Sequence, residues 1–303
     1  MRYGYIGLGN LGVQLAASLL REGFALVVHD RNEAAAEPLR ARGAAWVATP
    51  RELATQCDAV ITCLPSPAVS EAVLSGPDGI LAGLRRGGCW IEMSTLGREE
   101  ILRLAAMAAE SGIDTLESPV TGGVHKAASG EITILAGGPQ ALFEAHRPAL
   151  AAMGGEIFHM GPLGSAALIK VITNMLAFIH LLADGEALML AKRGGLDLAQ
   201  AWNAIRASSG NSFVHETEGQ LILNGSYDIG FNMDLACKDL GFAMKFGREF
   251  GVPLDLAGMT AQTFIRGRSA YGGAAQSTAI VKLLEDALKT DLRAPGFPAR
   301  LTV

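Results

Sequence analysis

The chain has 303 residues, 50% of them hydrophobic, with 25 basic against 30 acidic side chains and a formal net charge of -5. That length can bury about two separate cores. No run of basic residues exceeds two, so the charge offers no field for a nucleic-acid partner.

Four cysteines, Cys57, Cys63, Cys89 and Cys237, form no C-x-x-C pair and have no histidine at metal spacing beside them. They read as reduced, mostly buried thiols in a cytoplasmic protein with no metal centre. His180 and Asp184 share a helical spacing, but one such pair supplies too few ligands for a metal.

Residues 3 to 30 form one physical device. A short apolar run leads into Gly7-Leu8-Gly9-Asn10-Leu11-Gly12, then a helical stretch, a second apolar run, and Asp30. Gly7 suits a tight turn off a strand, Gly9 leaves the backbone open to a pyrophosphate, and Gly12 lets the following helix pack close to the sheet. The helix start adds unpaired N–H groups and a positive dipole end. Asp30 stands about 20 residues on, where a carboxylate accepts ribose hydroxyls and repels a 2′-phosphate. NAD is therefore the expected cofactor. Arg31, able to accept a phosphate, keeps NADP open as the alternative.

Onward to about residue 160, apolar runs alternate with helical patterns. Strands are predicted at 3–7, 25–29, 45–48, 59–63, 88–92, 114–118, 131–136 and 155–159, with helices at 11–22, 33–42, 50–56, 67–74, 97–111 and 139–152. This alternation predicts an α/β fold, an N-terminal Rossmann domain with a doubly wound, mostly parallel sheet over residues 1–162. Ligands of such a sheet sit beyond the carboxyl ends of its strands. Three predicted loops lie there: Cys63-Leu64-Pro65-Ser66-Pro67, Glu92-Met93-Ser94-Thr95, and Glu117-Ser118-Pro119-Val120-Thr121-Gly122-Gly123. The first can press on a cofactor or be an ordinary turn. The second can bond a ribose or cap the next helix. The third presents small residues and the Thr121 hydroxyl in a concavity suited to a carboxylate.

After Gly161-Pro162-Leu163-Gly164 the strand signals stop, and residues 163–303 are predicted to be an all-helical substrate and oligomerisation domain. It is entered by one long interdomain helix from about Ser165 to Lys192, followed by helices at 197–207, 213–223, 233–250, 254–270 and 278–288. The long helix is apolar nearly all round. Lys170, Asn174, His180, Asp184 and Glu186 interrupt it, which predicts a buried helix of a soluble protein rather than a bilayer span. Such a helix must be covered on every side, so a homo-oligomer is expected, the alternative being a monomer covered by its own first domain. The tail 294–298 is expected to be loose.

Lys170 is the sharpest residue in this half, because lysine is rarely buried without a reason. Asn174, four residues on, shares its helix face. That face can point into a cleft holding the nicotinamide end of a cofactor; the alternative is a lysine that snorkels to water. Lys238 lies in a later helix and can reach the same cleft or pair with Asp239 at the surface.

These motifs in this order resemble the β-hydroxyacid dehydrogenase family, typified by 3-hydroxyisobutyrate dehydrogenases. The resemblance rests on Gly7 to Gly12, on Pro119-Val120-Thr121-Gly122-Gly123, on Gly161-Pro162-Leu163-Gly164 with Lys170 and Asn174, and on Lys238-Asp239-Leu240. It implies reversible NAD(P)-dependent oxidation of a small 3-hydroxy acid, with Lys170 as general acid/base and Asn174 orienting substrate. It also implies carboxylate binding at Thr121, Gly122 and Gly123, and cofactor contacts at Asn10, Leu11, Asp30, Leu64, Pro65, Thr95 and Lys238. Members of that family are dimers or tetramers, which implies a homodimer or homotetramer here. Thr121 replaces the usual serine of the substrate turn, and His125 and Lys126 follow it; these, with residues 208–213, are where substrate specificity is expected. Two other readings compete: a non-catalytic dinucleotide-binding sensor or scaffold, and an imine reductase on the same fold, against which Lys170 argues.

Overall fold

The structure, a computed structural model, describes residues 1–301. The described chain divides into two compact units that part inside one helix, at Lys170/Val171.

The first unit is built on a six-stranded parallel sheet in the order β3-β2-β1-β4-β5-β6. The strands are β1 (Tyr3–Ile6), β2 (Leu26–His29), β3 (Ala45–Trp46), β4 (Ala59–Thr62), β5 (Cys89–Glu92) and β6 (Asp114–Glu117). The order reverses beside β1, as in a doubly wound sheet. Alternation along each strand loads both faces. Tyr3, Tyr5, Val28, Ile61 and Ile91 enter one core, while Ile6, Val27, Val60 and Trp90 enter the other.

The helices that cover the sheet are α1 (Gly12–Arg21), α2 (Glu37–Arg40), α3 (Pro50–Thr55), α4 (Pro67–Ser75), α5 (Arg98–Glu110), α6 (Gly123–Ser129) and α7 (Gln140–Met153). Their starts follow local chemistry. Thr49 and Ser66 accept hydrogen bonds from the N–H groups of Glu52 and Val69, each with proline at the first helical position.

A second, three-stranded sheet consists of β7 (Val120–Thr121), β8 (Ile132–Ala136) and β9 (Gly154–His159). β7 pairs antiparallel with β8, and β8 parallel with β9. The substrate turn expected to leave a strand is thus itself a two-residue strand, and Gly123 opens a seven-residue helix that the periodicity did not reveal.

The second unit begins within α8 (Ser165–Arg193) and contains α9 (Leu198–Arg206), α10 (Phe213–Asn224), α11 (Met233–Phe250), α12 (Asp255–Tyr271) and α13 (Lys282–Leu288). Phe178, Leu188, Trp202, Ile222, Met233, Leu240 and Phe264 lie in its core. Asp197, Ser212 and Asn232 cap three of its helices. A buried His215 donates from or accepts at both ring nitrogens: Nδ1 lies 2.5 Å from Asp184 Oδ1, and Nε2 2.9 Å from the Trp202 carbonyl. His180, by contrast, is exposed, so Asp184 serves a structural histidine on another helix.

Two expectations need correction. In the most apolar 18-residue window of α8 only 33% is buried, although the helix has the length and hydropathy of a membrane span. Its exposed positions Leu176, His180, Ala183, Ala187 and Leu190 recur every three or four residues and form one stripe. The tail is also anchored rather than loose. The Phe297 ring meets Trp202 edge-on at 5.2 Å, and its carbonyl accepts from Asn224 Nδ2 at 2.8 Å.

Candidate active site

The predicted dinucleotide residues of the first unit lie at the carboxyl ends of β1, β2, β4 and β5. Gly7 has φ +96°, and a side chain there would strike the Cys63 carbonyl. A Cβ on Gly12 would lie 2.0 Å from the Gly7 carbonyl, so α1 approaches the turn as only glycine permits. A Cβ on Gly9 would meet nothing within 4 Å, which leaves the open space a pyrophosphate needs. Asn10 is exposed, and Leu11 is the residue that precedes α1.

Asp30 is held in place by the turn it was expected to serve. Its Oδ2 accepts the Leu8 N–H at 2.7 Å, and its Oδ1 accepts the Asn32 N–H at 2.8 Å. The carboxylate therefore ties the loop after β2 to the glycine turn, and its remaining lone pairs stay available to hydroxyls. Arg31 beside it is exposed.

The loops after β4 and β5 are fastened together. The Leu64 N–H donates to Ser94 Oγ at 2.7 Å, and the Ser94 N–H donates to Glu92 Oε1 at 2.7 Å. Glu92 is buried, and burial pushes its carboxyl above the usual range against the hydrogen bonds from Ser94. The Cys63 thiol is pushed up to about 12 by burial first and the nearby Glu92 second, which favours the protonated thiol. Pro65 is exposed and Leu64 and Thr95 are half-buried at this edge.

At the turn expected to take the substrate carboxylate, Gly122 and Gly123 adopt φ +126° and +87°, and Thr121 is half-buried. Lys126 packs its stem over Gly122, where a Cβ would stand 3.2 Å from Lys126 Cδ. The His125 imidazole is pushed below its ordinary value by burial first and by Lys126 second, which favours a neutral ring at neutral pH.

Lys170 sits in the second turn of α8 with 7% of its surface exposed, and Asn174 follows at 8%. Within the helical unit, Asn174 Nδ2 donates to Asp239 Oδ2 at 2.6 Å, and Lys238 Nζ lies 3.0 Å from Asp239 Oδ1. The structure thus joins Asn174 and Lys238 through a carboxylate that is 1% exposed. The Lys238–Asp239 pair is not a solvated surface pair.

Comparison with known proteins follows this geometry. Residues 2–161 match the model of the NAD binding domain of 6-phosphogluconate dehydrogenase, and residues 164–284 match that of the NAD-binding domain of NADP-dependent 3-hydroxyisobutyrate dehydrogenase. The chain is 35% identical over 286 residues to the 2-(hydroxymethyl)glutarate dehydrogenase of Eubacterium barkeri, covering 94% of this chain and 95% of that one. It is 33% identical over 281 residues to an L-threonate dehydrogenase of Cupriavidus necator, covering 92% and 95%. A solved 3-hydroxyisobutyrate dehydrogenase from Salmonella typhimurium superposes with a TM-score of 0.87 at 30% identity, covering 93% of this chain and 99% of that one. The chain belongs to the β-hydroxyacid dehydrogenase family. As a member of that family it is an oxidoreductase that acts on the CH–OH group of small hydroxy acids with a nicotinamide cofactor.

Two buried carboxylates of this β-hydroxyacid dehydrogenase, each bonded next to expected site residues, are not singled out by local sequence pattern. Asp239 was visible only as the neighbour of Lys238, although a carboxylate on the buried edge of an amphipathic helix is itself a signal. Glu117 closes an apolar strand shortly before the turn at 121–123 and is 1% exposed. Its role depends on a partner 47 residues away, beyond any local pattern.

Proposed function

We propose that this chain reversibly oxidises a small 3-hydroxy acid to its semialdehyde or keto acid, with Lys170 as general acid/base. The observation that carries this reading is the burial of Lys170 on the same helix face as a buried Asn174 whose amide is held by Asp239. Lysine is rarely buried without function or a partner.

Thr121, Gly122 and Gly123 take the substrate carboxylate through backbone N–H groups and the threonine hydroxyl. Asn174 orients the carbinol. Lys170 Nζ accepts the hydroxyl proton on oxidation and returns it on reduction. When bound, the nicotinamide supplies the acceptor for the carbinol hydride. Gly7, Gly9, Asn10, Leu11, Gly12, Asp30, Leu64, Pro65, Thr95 and Lys238 hold the dinucleotide. Asp30 favours NAD, and the exposed Arg31 keeps NADP as the second cofactor to assay.

We further propose that residues 163–303 form the substrate and oligomerisation domain of a cytoplasmic homodimer or homotetramer. The exposed stripe on α8 supports a second copy as its cover, as do exposed Leu256, Met259 and Ile265 on α12. An open groove of ≈ 580 Å³ between α11 and α12, lined in part by Gly241, Gly258 and Ala261, gives close approach to such a partner.

The test is a panel of hydroxy acids assayed with NAD and with NADP. It begins with 2-(hydroxymethyl)glutarate, L-threonate and 3-hydroxyisobutyrate, the substrates in the relatives' names. Lys170→Ala is expected to lose roughly 10²–10⁴-fold in turnover while still enhancing NADH fluorescence. Near-normal turnover by that variant would refute the assignment.

A further inference from the structure

We propose that Glu117 is a positioning residue that sets the register of Lys170 by clamping the start of α8 to the substrate turn. The inference rests on the reading of Lys170 given above.

Glu117 ends β6, and its backbone is fixed on two sides. The chain pairs with β5 through Glu92, and the Glu117 and Gly137 N–H groups exchange hydrogen bonds with each other's carbonyls at 3.0 and 2.9 Å. The next residue, Ser118, donates its N–H to the Glu92 carbonyl at 2.7 Å, and the chain then enters Thr121, Gly122 and Gly123. The foot of the substrate turn is therefore rigid.

From this fixed backbone the side chain reaches the first turn of α8. Glu117 Oε1 accepts the N–H groups of Gly164 and Ala166 at 2.6 and 3.0 Å, and Oε2 accepts that of Ala167 at 3.0 Å. Three of the donors that a helix start leaves without intrahelical partners thus converge on one carboxylate. The charge also opposes the positive end of the helix. Lys170 lies three residues beyond Ala167, less than one turn further along. Any axial slip or rotation of that first turn moves the lysine side chain with it.

The arrangement opposes its own electrostatics. Burial pushes the Glu117 carboxyl above the usual carboxylate range, against the three N–H groups and Arg98, which pull it down. Keeping a charge here is costly, and a purely structural cap is within reach of neutral serine or asparagine. What a three-way acceptor adds is directional hold on both turn and helix, and misplacement of a catalytic group by about 1 Å costs on the order of 10²-fold in rate.

Gly137 provides an independent handle. A Cβ there would stand 2.2 Å from Glu117 Oε1, so Gly137→Ala displaces the carboxylate without altering its chemistry.

The experiment compares Glu117→Gln, Glu117→Ala and Gly137→Ala with the parent, in the wild-type and Lys170→Ala backgrounds. Folding is followed by circular dichroism and cofactor binding by NADH fluorescence. Glu117→Gln retains length and one acceptor oxygen but turns an NH₂ toward an N–H. It is expected to lower kcat about tenfold with NADH affinity unchanged, and Glu117→Ala to lower it roughly 10²-fold. Gly137→Ala is expected to resemble Glu117→Gln. In the Lys170→Ala background, the residual turnover should not fall further when Glu117 is changed, because the residue it positions is gone. If Lys170→Ala is inactive but the folded, NADH-binding Glu117→Gln and Gly137→Ala variants turn over within twofold of the parent, the clamp is overturned and the role of Lys170 stands. If Lys170→Ala turns over normally, both fall.

Discussion

Replacing Asp239 by asparagine removes one charge at the centre of a three-residue network while keeping its shape. Asn174 Nδ2 donates to the carboxylate at 2.6 Å, a charge-assisted bond whose net value is about 1.5–3 kcal/mol. Lys238 Nζ lies 3.0 Å from the other oxygen. Removing one member of a fully buried ion pair costs about 3–5 kcal/mol. Here the Lys238 side chain is 20% exposed while that of Asp239 is 1% exposed, so the ammonium can turn toward water and that figure is an upper bound. A loss of about 2 kcal/mol is expected, which lowers Tm by roughly 4–8 °C. If Asn174 orients the substrate in the transition state, the same loss of about 1.5–3 kcal/mol lowers kcat/KM by roughly 10- to 150-fold. Thermal melting and steady-state NADH production on one preparation measure both quantities. An Asp239→Asn protein within twofold of the parent in kcat/KM would show that the carboxylate does not position Asn174 for catalysis.

Two further predictions follow from the helical unit. Burial lowers the affinity of His215 for a proton, but hydrogen bonds to Asp184 and the Trp202 carbonyl and the Asp184 charge outweigh it, so its folded-state pKa is raised above 6.5. The stability this contributes is fully present below the unfolded value and is lost as pH rises through the folded one. Tm should therefore fall more steeply as pH rises from 6.5 in the parent than in Asp184→Asn, and equal slopes would contradict the pair's protonation. Lysine at both Leu176 and Leu190, on the exposed stripe of α8, is expected to shift the sedimentation coefficient toward the monomer. An unchanged sedimentation coefficient would overturn the α8 stripe as a contact between copies.

Much of the fold was legible locally. The six strands of the parallel sheet and the helices after residue 163 follow apolar periodicity punctuated by glycine, proline and capping residues, all of which act over a few positions. The two-residue β7 and the seven-residue α6 were not legible, because neither is long enough to show a period and α6 begins on a glycine. β7 depends on pairing with β8, which lies in a separate small sheet beside β9.

The candidate site divides in the same way. Gly7, Gly9, Gly12 and Asp30 could be named from spacing, since one strand–turn–helix–strand unit carries them all. Lys170 and Asn174 could be paired because four residues on a helix share a face. What holds these groups in place was not accessible to such reasoning. Glu117 meets Gly164, Ala166 and Ala167, and Asn174 meets Asp239, across separations of 47 to 65 residues.

The amino-acid order on its own determined that a nucleotide-binding sheet precedes a helical unit, because periodicity and glycine spacing act through neighbouring residues. Tertiary structure alone decided that Glu117 and Asp239 are buried acceptors, that the tail is pinned at Phe297, and that α8 keeps an apolar stripe exposed. Those outcomes depend on which distant backbone N–H or carboxylate the completed fold brings within about 3 Å, and hydrogen bonding has no range beyond that to leave a trace in local sequence.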